Sequence, residues 1–137
     1  MKIETLTPQI AVLYLGQKCT IHLKHKVSTM PAGTEYVTEI EPATLYLLIH
    51  DSAIVTPHLR PLSSLTEAEA MQVYEMYFEN PKPYHFKKTG KQWFKAAFFD
   101  NQMYPAFPAH IFTHLIRLGF DLFGLIDAGL AKEIINP

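Results

Sequence analysis

His110 and His114 stand four residues apart, and on a helix that spacing puts two imidazoles on one face, as a two-histidine metal site requires. Arg117 and Asp121 continue the stripe. Asp121 would complete a set of two histidines and one carboxylate, yet it falls past the expected helix end and Arg117 places a positive charge between the ligands. The plainer reading is the solvated side of an amphipathic helix, because Ile111, Phe112, Leu115, Ile116 and Leu118 form an apolar stripe opposite. His22 and His25 are three residues apart, as are Cys19 and His22, and in an extended strand each pair points to opposite faces. That parity separates both a metal pair and a thiol from its base, so Cys19 reads as a small buried apolar residue. No Gly-x-Ser-x-Gly elbow, phosphate-binding glycine loop, dinucleotide fingerprint or His-Glu-x-x-His motif occurs. No catalytic residue is assigned, and no cofactor is expected.

Charge segregation is the sharper signal. Between Pro81 and Phe98 the chain carries Lys82, Lys87, Lys88, Lys91 and Lys95 with no acid, interleaved with Tyr84, His85, Phe86, Trp93 and Phe94. Lysines that follow a phosphate backbone, beside aromatic rings on which bases stack, suit single-strand or loop recognition. Lys87, Lys88, Lys91, Trp93 and Lys95 are the residues of that reading. The preceding stretch carries Glu67, Glu69, Glu75 and Glu79 with no basic residue, so the lysines have an acidic neighbour to face as well as solvent.

The elements that must position these groups follow from size and pattern. A chain of 137 residues, 48% hydrophobic and 18% charged, has the apolar content of one folded domain. Its net charge of −1 removes any argument for a polyanion binder from the whole chain, leaving only local ones. One cysteine permits neither an intrachain disulfide nor a cysteine-based zinc cage. No run of about 18 apolar residues occurs and Met1 to Ile10 has no apolar signal core, so a cytoplasmic protein without a membrane segment is expected.

Residues 9 to 15 are apolar enough for a strand or a short helical turn, and Cys19, Ile21 and Leu23 alternate with polar neighbours as in a half-buried strand. Met30-Pro31-Ala32-Gly33 turns the chain into the β-rich stretch 36 to 40. Leu45 to Ile49 are apolar on both parities, which predicts a strand covered on both faces, joined through Asp51-Ser52 as a hairpin to Ala53 to Thr56. Thr66-Glu67-Ala68-Glu69 has the spacing of a capping box and opens a helix that Asn80-Pro81 ends. Residues 84 to 99 fit a hairpin around Thr89-Gly90, although 91 to 99 fit a helix equally well. A helix follows Pro108, and Asp121 is placed to cap a short third helix over 122 to 126 that Gly129 ends. The expected class is α+β. A β-rich part at 8 to 59, forming a small antiparallel sheet or partly closed barrel, precedes a mainly helical part at 60 to 137 with a basic aromatic connector at 81 to 99.

Tyr14-Leu15-Gly16-Gln17-Lys18-Cys19, Leu59-Arg60-Pro61-Leu62-Ser63-Ser64-Leu65-Thr66-Glu67 and the run 119 to 131, GFDLFGLIDAGLA, together resemble a family of small proteins of phages, prophages and mobile elements of gut Bacteroidetes. The order and spacing of the segments match along almost the whole chain. The resemblance implies a genomic setting and carries over no catalytic residue. Physically, Arg60 reads as an arginine whose stem covers the core at a strand exit, with an anion binder as the other reading, and the run 120 to 130 reads as core. The expected function is therefore a non-enzymatic accessory or regulatory protein in the bacterial cytoplasm that acts on an unidentified protein partner. A nucleic-acid module at 82 to 95 and a metal-dependent enzyme at His110 and His114 are the other two readings.

Overall fold

The computed structural model describes residues 5–77 and 109–134. It is an α+β fold around a four-stranded sheet of order β2-β1-β3-β4, formed by β1 (Lys18–Leu23), β2 (Glu35–Glu39), β3 (Ala53–Leu59) and β4 (Lys132–Glu133). β1 lies antiparallel between β2 and β3, whereas β4 joins β3 in parallel. The strands within 8 to 59 form the expected antiparallel sheet, and β4, from outside that range, joins in parallel and leaves the sheet mixed and open, not closed into a barrel.

The alternation read in β1 is the one observed. Cys19, Ile21 and Leu23 are buried with Ala53, Val55, Pro57 and Leu59 of β3, while Lys18, Thr20 and His22 face outward with Ile54, Thr56 and His58. The turn before β2 also forms, with a Val27–Met30 bridge and Ser28 at φ 54°.

Two segments differ from their sequence reading. Leu45–Ile49 is not a buried strand but the body of helix α2 (Pro42–Ile49), so the hairpin to Ala53 is absent. Pro42 in the first turn is already set for helical φ, and the Thr44 hydroxyl accepts the Glu41 N–H at 3.2 Å and donates to the Glu39 carbonyl. Thr44 and Leu47, three apart, are its buried side. Residues 9 to 14 take the helical alternative, as α1 (Pro8–Ala11) and a 3-10 turn (Val12–Tyr14). The third helix is the other correction: 122 to 126 form turns. The Asp121 carboxylate does act as a cap, accepting from the N–H groups of Phe123, Leu125 and Ile126, but the chain there follows no continuous helical ladder.

The chain divides into two compact units, residues 1–61 with 119–137, and residues 62–118. This moves the boundary expected at 60: residues 119–134 belong with the sheet, because β4 pairs β3 and the Arg60 N–H bonds the Gly119 carbonyl at 2.8 Å. In the first unit α1 packs on α2 and α2 on β3. In the second, a 3-10 turn (Leu62–Ser64) leads to α3 (Glu67–Tyr77), which packs against α4 (Ala109–Arg117) through a core that includes Ala70, Val73, Ile111 and Leu115. The capping box opens α3 as the sequence requires: the Thr66 hydroxyl accepts the Glu69 N–H at 3.2 Å and the Glu69 carboxylate accepts the Thr66 N–H at 2.9 Å. The basic aromatic segment, with Lys87, Lys88, Lys91, Trp93 and Lys95, lies outside the described residues.

Candidate protein interface

The three segments that carry the resemblance meet in one buried knot. Tyr14 donates its hydroxyl proton to the Phe120 carbonyl at 2.7 Å and accepts the Leu122 N–H at 3.3 Å, and burial holds its phenol far above the usual 10. Arg60 lies buried with its guanidinium carbon 4.2 Å from the centre of the Phe120 ring. The Asp121 N–H returns a bond to the Arg60 carbonyl at 2.9 Å, and the Gln17 side chain bonds the His58 carbonyl at 2.9 Å. Gly119 is required here: its φ is 85°, and a Cβ would come within 2.9 Å of the Gln17 amide oxygen. These residues hold the fold together, and Arg60 spends its charge on an aromatic face in the interior.

The chemistry-bearing side chains are spread over separate surfaces. Cys19 is fully buried, and loss of solvent pushes its thiol up to about 11. His22 points to the outer sheet face and meets Glu35 at 3.2 Å, whereas His25 stands beyond the end of β1. On the same outer face the Thr20 hydroxyl lies 2.7 Å from the His58 Nε2, and partial burial, with Lys132 and Lys18 alongside, lowers the His58 pKa from its usual 6.5.

His110 and His114 do share a helix, as the spacing requires. The His110 Nε2 donates to the Met76 carbonyl at 3.2 Å, while the buried His114 Nε2 has no partner among the described residues, and the His114 side chain lines an open hollow of about 310 Å³ with Gln72, Glu75 and Met76. Among the described residues no group of three metal-ligating side chains forms. Asp121, the carboxylate considered for this set, is engaged with three backbone N–H groups.

What the sequence did not disclose is an exposed apolar surface in the sheet unit. Tyr46 is 62% and Ile49 64% exposed, three residues apart on the outward side of α2, with the His50 ring centred 4.2 Å from that of Tyr46. Pro42 and Ala43 are exposed on the same helix, and the neighbouring 3-10 turn leaves Val12, Leu13 and the adjacent Leu15 uncovered. The signal was present: a segment apolar on both parities wants cover on two sides, and as a helix it receives cover on one. Among the described residues no helix is long and apolar enough to cross a membrane. Comparison with protein-family models, with curated proteins and with solved structures gave no match.

Proposed function

We propose that the protein is a non-enzymatic accessory or regulatory protein of a phage or mobile element, and that it acts by docking a protein partner on the outward side of α2. The genomic setting rests on the resemblance of the three segments. The docking rests on one observation: Tyr46 and Ile49, two large apolar side chains at helical spacing, are each more than 60% exposed. Exposed apolar side chains grouped on one element, rather than scattered, mark interaction surfaces, and burying a tyrosine and an isoleucine contributes on the order of 1.5–3 kcal/mol for each. Tyrosine adds a rigid ring and a hydroxyl that stays hydrogen-bonded at the edge of a contact.

Capture from a lysate of the host cell tests this. The unmodified protein should retain a discrete protein that the Tyr46→Lys, Ile49→Lys double variant loses, while a variant with Lys87, Lys88 and Lys91 changed to alanine keeps it. Equal retention by all three overturns the reading. Loss in the lysine variant together with release by nuclease transfers the function to the basic aromatic segment.

A further inference from the structure

The backbone of β3 has an edge that, among the described residues, β4 pairs at one end only. In β1 the odd residues bond toward β2, as the Leu23 N–H to Thr34 and the Gly33 N–H to Leu23 show, and the even side bonds toward β3, as the Lys24 N–H to Ser52 shows. The register pairs His22 with Ile54 and Thr20 with Thr56, so those residues spend their main-chain groups on β1. Ala53, Val55 and Pro57 therefore direct theirs to the opposite edge. There β4 covers only His58 and Leu59, where the Ile134 N–H takes the Leu59 carbonyl at 2.8 Å. Along 53 to 55 no described main-chain group bonds that edge, whereas the Pro57 carbonyl already faces β4. Pro57 sits at an outward position, the place in a sheet where a missing N–H breaks no ladder.

Ala53 and Val55 are each only 3% exposed, and among the described residues their outward N–H and C=O groups have no main-chain partner. Buried main-chain groups are nearly always paired, and an unpaired row of them marks a place for hydrogen-bonding atoms that arrive from elsewhere. A groove of about 190 Å³ lies against this row. Four consecutive β3 residues, Ala53 to Thr56, line it, which places it along the strand's edge, since a sheet face presents only alternate residues. Leu6, Leu48 and Leu130 supply apolar walls, and at its margin Lys24 and Asp51 pair with each other, leaving no net charge to satisfy.

We infer that this groove receives an extended peptide segment of a partner protein, which adds to β3 as a strand beside the position where β4 stops. Outward donors and acceptors recurring every second residue match the main chain of an extended peptide, and the leucine walls select uncharged, apolar side chains at the inward positions. The site uses neither Tyr46 nor Ile49, so it stands independently of the α2 surface.

Selection of a displayed library of linear eight-residue peptides against the full chain tests it, followed by titration of the selected peptide with amide exchange read at Ala53 and Val55. The expected result is a saturable, apolar, uncharged peptide that slows exchange at both amides. Its affinity falls about tenfold or more in Val55→Pro, which removes one edge donor while leaving the bonds to β1, and in Leu130→Lys, which charges the groove wall. Leu130→Lys keeps the test sound where Val55→Pro does not fold. The inference is overturned by a selection that yields no saturable peptide, by peptides whose affinity neither variant changes, or by protection of both amides that rises with protein concentration alone, which makes the occupant a second copy.

Discussion

At the scale of single residues, buried Tyr14 ties two main-chain groups together through one hydroxyl. Its hydroxyl satisfies the Phe120 carbonyl and the Leu122 N–H together, so Tyr14→Phe orphans both and should cost about 1–3 kcal/mol in a denaturant titration, with the sheet retained. A loss below a few tenths of a kcal/mol would show that the knot does not restrain these segments. His58 offers a second test. Its pKa is lowered in the fold, so the unfolded chain binds the proton first; the associated stability is complete above about pH 6.5 and is lost as pH falls through the lower, folded value. The drop in denaturation midpoint between about pH 7.5 and 5.5 should therefore shrink in His58→Gln, and an unchanged drop would assign it to other groups.

At the scale of elements, α3 gives the cleanest expectation. Removing the Thr66 hydroxyl frees the Glu69 N–H, and Thr66→Ala should cost about 0.5–2 kcal/mol, measurable as a lower thermal midpoint. That helix was legible because its signals are local: a cap, a partner acid three residues on and an apolar face. β1 was legible for the same reason, since alternation survives wherever one face is buried. α2 was not, because Leu45-Tyr46-Leu47-Leu48-Ile49 carries no polar position to fix its period, and the deciding features, Pro42 and Thr44, lie upstream. Asp121 shows the converse: its capping bonds are those a helix start would make, yet Gly124 at φ 73° diverts the chain into turns. The edge of β3 was invisible for a different reason, since it depends on which parity of β1 bonds which neighbour, a property of pairing and not of one strand.

At the scale of the molecule, the helical unit is an excursion from the sheet unit. The chain leaves the first unit at Pro61 and re-enters it at Gly119, and Arg60 and Gly119 are themselves hydrogen-bonded, so the two ends of the excursion adjoin. A chain in which a short Gly/Ser linker replaces residues 62–118 should keep the β1–β3 register and the Tyr14 hydroxyl bonds, seen as dispersed amide resonances; collapse to an unfolded spectrum would make the units interdependent. The sequence boundary at 60 missed this because nothing local at 119–134 signals a return to a sheet 60 residues upstream. Tyr14, Gln17, Arg60 and residues 119 to 122 serve as framework, so the proposed docking rests on what that framework displays. The claim that it displays α2 is tested most directly by photo-cross-linking in the cell, with a benzophenone side chain at position 46, at position 49 and, as a control, at position 67. The expected result is one discrete protein adduct shared by positions 46 and 49 and absent at 67; no adduct at 46 and 49, or the same adducts from all three positions, would contradict it.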